Sequence, residues 1–371
     1  MLYMNILILN WRDPQNPKAG GAEYVTMKHA LSWVKRGHSV TWLAASFEGA
    51  KTHEEREGVR ILRQGNIVTV FWYAFAYYRA HKNDIDLIID EVHGVPFFSK
   101  LYVKKPIIVF IHEVAGDIWH IMYPFPISLI GRMLERFFLW LYRDEYFWTD
   151  AASTLQELRA YGVRADRSVA IACPIENKSL HRLPKKNTVP TFLFVGRIVR
   201  MKGVDDVLLA LRSIVSTHKK AVLWVVGDGD AAYVEKLRRT AITYGISDNI
   251  IWYGKVSQDK KLTLMAKAHV LLHASVKEGW GLVVLEAASQ GTPTVAYAIH
   301  GLVDTIKDRH TGVLTKKNTP EHLSHEAINL YRNKKLYQSL QKNGLQWSRS
   351  FTWSQSTKES ITLLSAVYKS S

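Results

Sequence analysis

The sequence predicts an α/β protein built from two Rossmann-like, parallel-sheet halves in tandem. Three observations carry that prediction. Short, almost wholly apolar runs alternate with stretches of helical spacing, the pattern left by strands that helices cover on both faces of a parallel sheet. The alternation stops at a polar, proline-punctuated segment, 177–190, and then begins again, so that segment is the expected linker. With 371 residues, 47% of them apolar, the chain can form a core in each of two domains.

In the first half, Met4 to Leu9 reads as a short buried strand. A loop through Asp13-Pro14 and Asn16-Pro17 reaches Gly20-Gly21, Ala22 to Val34 reads as a helix, and Ser39 to Ala44 as the next strand. Asp86 to Asp90 and Pro106 to Ile111 repeat the pattern, and His93 and His112 follow their ends. Ligands of open parallel sheets bind beyond the carboxyl ends of strands, so both histidines are candidates for a site. From Trp119 to Tyr142 the chain is aromatic and apolar, and two readings compete. It is a core helix packed through Ile130, Met133/Leu134, Phe137/Phe138 and Leu141, or an interfacial helix with Arg132, Arg136 and Arg143 toward lipid phosphates. The core reading is favoured, because a stripe at helical spacing more often packs; Trp140 and Leu139, off the stripe, keep the other open. Phe71-Trp72-Tyr73 with Tyr77-Tyr78 invites the same two readings.

After the linker, Thr191 to Val195 reads as a strand, with a turn at Gly196 and a helix from Val204 to Val215. Strand Ala221 to Val226, helix Ala231 to Tyr244, strand Asn249 to Tyr253, helix Leu262 to Ala266 and strands Val270 to His273 and Thr294 to Ala296 follow. The pattern from Trp353 to Tyr368 reads as one more amphipathic helix.

Composition narrows the classes of function. A single cysteine, Cys173, excludes an internal disulfide framework and favours a reducing compartment. The opening apolar run is too short for a secretory signal, and Arg132, Glu135 and Arg136 interrupt the best apolar stretch, so a cytoplasmic protein without a membrane span is expected. Residues 1–178 hold 21 basic against 19 acidic side chains and the remainder 28 against 14, so the net charge of +16 lies almost wholly in the second half. Composition alone leaves nucleic acid, anionic lipid and a polyphosphate ligand open.

The most informative stretch runs from Glu278 to Glu286. It places two carboxylates eight positions apart across Gly279-Trp280-Gly281, where an apolar run beginning at Leu282 starts a helix that Gly291-Thr292-Pro293 ends. The first amides of a helix lack intrahelical acceptors and carry the positive end of its dipole, and glycines let an anion approach them. Carboxylates beside an anion site suit the hydroxyls of the same ligand, and that combination describes a nucleotide sugar. Upstream, Arg197 and Lys202 sit five positions apart in a turn between strand and helix, a planar fork and a point charge that could meet on one polyphosphate; Arg200 is expected to face solvent. Gly20-Gly21 could bring backbone amides to a phosphate or sugar, but without a third glycine or a following Lys-Ser/Thr pair it matches neither a dinucleotide fingerprint nor a Walker loop. His112-Glu113 does not open a zinc-protease helix, since Gly116 stands four residues on. Asp84-Ile85-Asp86 and Asp228-Gly229-Asp230 are explained by strand entry and helix capping, and a metal is not required because Arg197, Lys202 and a helix N-terminus could neutralise a departing diphosphate; no Gly-x-Ser-x-Gly elbow is present.

With these residues in view the chain resembles a GT-B glycosyltransferase of family 4 over nearly its whole length. The resemblance rests on Gly20-Gly21-Ala22-Glu23, on His112, on the stretches 194–203 and 225–230, and most of all on 278–296. It implies an acceptor domain over 1–180, a donor domain over 188–353, and a last helix, 354–371, packed back on the first. It further implies retaining transfer of a hexose or N-acetylhexosamine from a UDP- or GDP-sugar, without a metal cofactor, in a cleft between two domains. The resemblance also implies that the leaving diphosphate itself helps to deprotonate the incoming hydroxyl. Carried onto this sequence, Arg197 and Lys202 hold the diphosphate and Glu286 accepts from the ribose. Glu278 and the amides of Trp280, Gly281 and Leu282 bind sugar and pyrophosphate, His112 lies against the sugar, and Gly21 approaches the diphosphate. Catalytic weight falls on His112, Glu278, Arg197 and Lys202. Trp280 stands where Phe is usual. Arg12, Glu113 and His93 are candidates for the acceptor side, with Asp13, Asp90 and Glu91 nearby.

The expected activity is assembly of an envelope polysaccharide or glycolipid, with a glycan or lipid-linked acceptor and no nucleic acid partner. Peripheral contact through 119–142 at the inner face of the cytoplasmic membrane belongs with a lipid-linked acceptor. A GT-B sugar-nucleotide epimerase and a basic binding module are the rival readings.

Overall fold

The computed structural model describes residues 3–176, 180 and 182–370, so 177–179 and 181 of the expected linker lie outside the described residues. The chain divides into two compact units, one of Met1–Trp119, Phe125–Cys173 and Trp353–Ser371, the other of His120–Pro124 and Pro174–Thr352.

Unit 1 begins with β1 (Asn5–Leu9), α1 (Gly21–Val34), β2 (Ser39–Ala44), β3 (His53–Arg56), β4 (Val59–Arg63), α2 (Val70–His81), β5 (Leu87–Val92) and β6 (Ile107–Ile111). α3 (Ile118–Met122), whose residues from His120 on are assigned to unit 2, α4 (Ile127–Tyr142), β7 (Tyr146–Thr149), α5 (Ala152–Ala160) and β8 (Ser168–Ala170) follow. The sheet order is β3-β4-β2-β1-β5-β6-β7-β8, parallel throughout except for the β3–β4 hairpin. β5 and β6 are buried along their full length; β6 is wholly apolar, whereas β5 carries Asp90 and Glu91 toward its carboxyl end. From β1 the chain winds outward to β2 and β4, then returns to lay β5 on the other side of β1. That reversal makes the β1/β5 edge a switch point, where side chains beyond the strand ends face an open crevice.

The hairpin had no clear signal in the sequence, because its strands are rich in charge. Arg63 explains them: fully buried, it takes Asp13 in a fork of 2.7 and 2.8 Å and reaches Glu54 at 2.8 Å.

α4 bears out only part of the core reading of its apolar stripe: Phe138 is buried and Leu134 and Leu141 are half-buried. Ile130, Met133 and Phe137 are 60%, 63% and 48% exposed, whereas Ser128, Gly131, Glu135, Phe138, Leu139 and Tyr142 face inward. Two contacts turn the helix this way. A side chain at Gly131 would meet the Trp119 ring at 2.2 Å, so only glycine lets that indole seat there. The Glu135 carboxylate accepts from the amides of Ala115 and Gly116 at 2.6 and 2.8 Å, tying down the loop after His112. In α2, Val70, Ala74 and Tyr78 pack inward while Trp72 is exposed.

Unit 2 contains β9 (Thr191–Val195), α6 (Val204–Thr217), β10 (Val222–Val226), α7 (Ala231–Thr243), β11 (Ile250–Gly254), α8 (Gln258–Lys267), β12 (Val270–His273), α9 (Leu282–Ser289) and β13 (Thr294–Ala296). It closes with α10 (Leu302–Thr305), β14 (Val313–Leu314), α11 (Pro320–Arg332) and α12 (Lys334–Ser350). Its strands are parallel in the order β11-β10-β9-β12-β13-β14, so the switch point falls between β9 and β12. Asp230 caps α7 by accepting from Tyr233 N at 3.0 Å, and Asp86 accepts from Asn5 N at 2.8 Å, which gives both Asp-x-Asp pairs local structural work.

The last helix, α13 (Trp353–Lys369), belongs to unit 1 and packs on α1. Ser360 Oγ lies 3.0 Å from His29 Nδ1 and accepts from Trp33 Nε1 at 3.1 Å. Burial holds the His29 imidazole down to about 3, so it docks as a neutral ring.

Candidate active site

In unit 2 the loops after β9 and β12 lie side by side because those strands are neighbours. Val276 N donates to Met201 O at 2.9 Å, and Gly203, at φ +66, sits so close that a side chain there would strike Ala274 O at 2.0 Å. The two loops are thereby clamped, and Lys202 Nζ reaches Glu278 Oε1 at 2.6 Å. The same oxygen takes Ser275 Oγ at 2.7 Å and His273 Nε2 at 2.9 Å. Burial pushes the Glu278 carboxyl up, but the Lys202 charge and the His273 hydrogen bond outweigh it and hold the group well below the usual carboxylate range.

Gly281, at φ +86, caps the start of α9, with Leu282 as the first helical residue. The Trp280 side chain is buried edge-on against Phe351 at 5.3 Å. Glu286, in the second turn, pairs through both oxygens with Lys261 Nζ of α8 at 2.9 and 2.8 Å and takes Gln258 Nε2 at 3.3 Å. Arg197 is exposed beyond the end of β9, as is Arg200. Thus Lys202 and Glu278 meet directly, Glu286 meets Lys261 instead, and Arg197 stands open to solvent.

In unit 1 the residues beyond β1, β5, β6 and β7 form one chain of charges. Glu23 is the capping-box residue of α1: its Oε2 accepts from Gly20 N at 2.7 Å, ahead of Gly21 at the first helical position, and its Oε1 lies 2.6 Å from Arg12 Nε. His93 Nε2 is 3.7 Å from Glu23 Oε1 and 3.1 Å from Glu91 Oε1. Glu91 Oε1 is also 3.2 Å from His112 Nε2, and His112 Nδ1 is 2.5 Å from Asp150 Oδ2. Cys173 Sγ donates to Asp150 Oδ1 at 3.0 Å. Burial works against the His112 cation, yet the charge of Asp150 and the Glu91 hydrogen bond carry its value well above that of an ordinary histidine. Burial likewise raises Glu91, but hydrogen bonds from His112 and His93 bring it down to about 2. Glu113 is half-buried.

Sequence reasoning missed Glu23 as a network member, and Asp150, Lys261, His273 and Ser275 altogether. His273 and Ser275 stand five and three residues before Glu278, near enough for the strand end itself to have drawn attention to them. Glu91 was noted only as lying toward the acceptor side, and among the described residues Glu91, His93 and His112 form the one group whose ligand atoms all lie within 4.8 Å of one another, as a metal would need.

Two doubly wound units in tandem, one after the other along the chain, give the GT-B class of fold, the class of the glycosyltransferase structures it resembles. Residues 19–178 match the family described as Glycosyltransferase Family 4, and residues 176–347 match the family described as Glycosyl transferases group 1; the chain belongs to the family 4 glycosyltransferases. An uncharacterized glycosyltransferase of Methanocaldococcus jannaschii is 31% identical over 161 residues, 43% of this chain and 44% of that protein. The matches span less than half the length of the curated relatives. Among solved structures, sucrose-phosphate synthase from Thermosynechococcus elongatus superposes with a TM-score of 0.82 at 17% identity, covering 99% of this chain and 100% of that one. Anabaena HepE in complex with UDP-glucose gives 0.76 at 17% identity, over 98% and 100%. At such identities the likeness speaks for the fold.

Proposed function

We propose that this protein transfers a hexose or N-acetylhexosamine, with retention, from a UDP- or GDP-sugar to a hydroxyl of a glycan or lipid-linked acceptor. The observation that carries the reading is the Lys202–Glu278 pair beside the start of α9 at the β9/β12 switch point: a cation, free-standing Arg197 and helix-start amides for a diphosphate, with carboxylates for hydroxyls. Glu278 and the amides of Trp280, Gly281 and Leu282 serve the sugar and pyrophosphate, and Glu286 serves the ribose. That a structural neighbour binds UDP-glucose supports a nucleotide-sugar donor. Cationic groups and helix amides can neutralise the departing diphosphate, so the reaction needs no metal cofactor. On the unit 1 side, His112 acts on the transferred sugar, Gly20-Gly21 on the diphosphate, and Arg12, His93 and Glu113 on the acceptor.

A lipid-linked acceptor, in envelope polysaccharide or glycolipid synthesis, is supported by α4. Its exposed face sets Ile127, Ile130, Met133, Phe137 and Trp140 among Arg132, Arg136 and Arg143, the composition of a helix lying in an anionic lipid interface. The attachment we propose is peripheral, at the cytoplasmic face; no described helix is long and apolar enough to cross a membrane.

Incubation with a panel of UDP- and GDP-sugars tests the reading. Hydrolysis or transfer that depends on the sugar, with nucleotide binding lost in Arg197→Ala and Glu286→Ala, is the expected result. Unchanged binding in both variants, or conversion of the sugar to its epimer with no acceptor consumed, overturns it.

A further inference from the structure

Glu91 is fully buried at the end of β5, and its Oε1 faces two imidazole nitrogens, His93 Nε2 at 3.1 Å and His112 Nε2 at 3.2 Å. The three atoms all lie within 4.8 Å of one another, and the three residues all belong to unit 1. Two ligands held about 2.0–2.1 Å from a tetrahedral zinc stand roughly 3.3 Å apart, so the two sides of this triangle that meet at Glu91 already have the spacing an ion imposes. The third side closes by a turn of His93, whose ring borders the surface.

Three further observations point to a cation. Asp150 Oδ2 lies 2.5 Å from His112 Nδ1, which holds a hydrogen on that nitrogen and aims Nε2 at Glu91; a carboxylate behind the ring is the common support of a metal-bound imidazole. The second Glu91 oxygen, Oε2, is buried with no hydrogen-bond partner, a costly state for a carboxylate that an ion bound to the same group relieves. Around the triangle the carboxylates of Glu23, Glu91 and Asp150 stand against a single guanidinium, that of Arg12, so the local charge favours a cation once both imidazoles are neutral.

We propose that Glu91, His93 and His112 form a binding site for a divalent late first-row transition metal, with zinc as its representative. Two imidazoles and a carboxylate suit such an ion, whereas magnesium and calcium favour sets made of oxygen alone. On binding, His112 gives its Nε2 proton to solvent and keeps Nδ1–H on Asp150, while His93 carries its hydrogen on Nδ1 and turns the Nε2 lone pair to the ion. Three protein ligands leave the fourth position open for water or a small ligand. The site is built from unit 1 alone and does not depend on the transferase reading.

Titration of the chelator-stripped full chain with cobalt(II), followed by zinc(II) as competitor, tests the proposal. One equivalent of cobalt(II) should bind with the strong visible absorption of a four- or five-coordinate ion, give way to zinc(II), and be indifferent to a large excess of magnesium. Glu91→Gln and His93→Ala should each abolish that absorption. Asp150→Asn, which leaves the three ligands in place, should weaken binding on the order of tenfold to a hundredfold. Melting temperature identifies the folded variants, and two ligand variants keep the test decisive if one fails to fold. Absence of the absorption in the wild type overturns the proposal. So does its persistence in the ligand variants, because the metal would then be an adventitious ion only, held by other histidines.

Discussion

Lys202 and Glu278 come from loops 76 residues apart in sequence, yet Nζ stands 2.6 Å from Oε1 because β9 and β12 are sheet neighbours. Lys202→Met should lower kcat/KM with the nucleotide sugar by roughly 10²- to 10³-fold, as for removal of one preorganised charge-stabilising donor. The Glu278 carboxyl is held below its ordinary value of 4.5, so its contribution to stability is present above that pH and fades as pH falls toward the folded value. Glu278→Gln should flatten the acid limb of the stability profile, read by melting temperature between about pH 5 and pH 2.

Arg63 satisfies Asp13 and Glu54 from a fully buried position. Arg63→Met leaves the buried Asp13 carboxylate without its partner, and unit 1 should lose about 3–5 kcal/mol. Urea unfolding followed by tryptophan fluorescence measures the loss.

Lys186 is half-buried, and desolvation lowers it from 10.5 to about 7. Its Nζ donates to Ala266 O at 3.0 Å and Thr292 Oγ1 at 2.6 Å. Between those two values the unfolded chain binds the proton that the folded chain has released, so stability rises with pH across that window. The difference in melting temperature between wild type and Lys186→Met should therefore grow in favour of the wild type from pH 7 to pH 10.

The outward face of α4 predicts binding to anionic vesicles that weakens with salt, since Arg132, Arg136 and Arg143 supply part of the attraction. Met133→Ser combined with Trp140→Ser should abolish vesicle flotation. Melting temperature should stay nearly constant, because both side chains are more than half exposed at 63% and 55%.

Sequence alone determined the strand-and-helix alternation and the start of α9, and singled out Arg197, Lys202, Glu278 and Glu286 as candidates, because periodicity and turn chemistry act over a few neighbouring positions. It also carried the family resemblance, which the matches to the two family descriptions bear out. Tertiary structure alone decided which side of α4 faces inward: the seat for Trp119 on Gly131 and the amides awaiting Glu135 outweigh the more apolar stripe. It also decided the partners. Glu286 meets Lys261, and Arg12, Glu23, Glu91, His93, His112 and Asp150 join one network only because strand order brings together the ends of β1, β5, β6 and β7. Linear spacing carries no record of which strands become neighbours, so the charge that each side chain finds there could be read only from the folded chain.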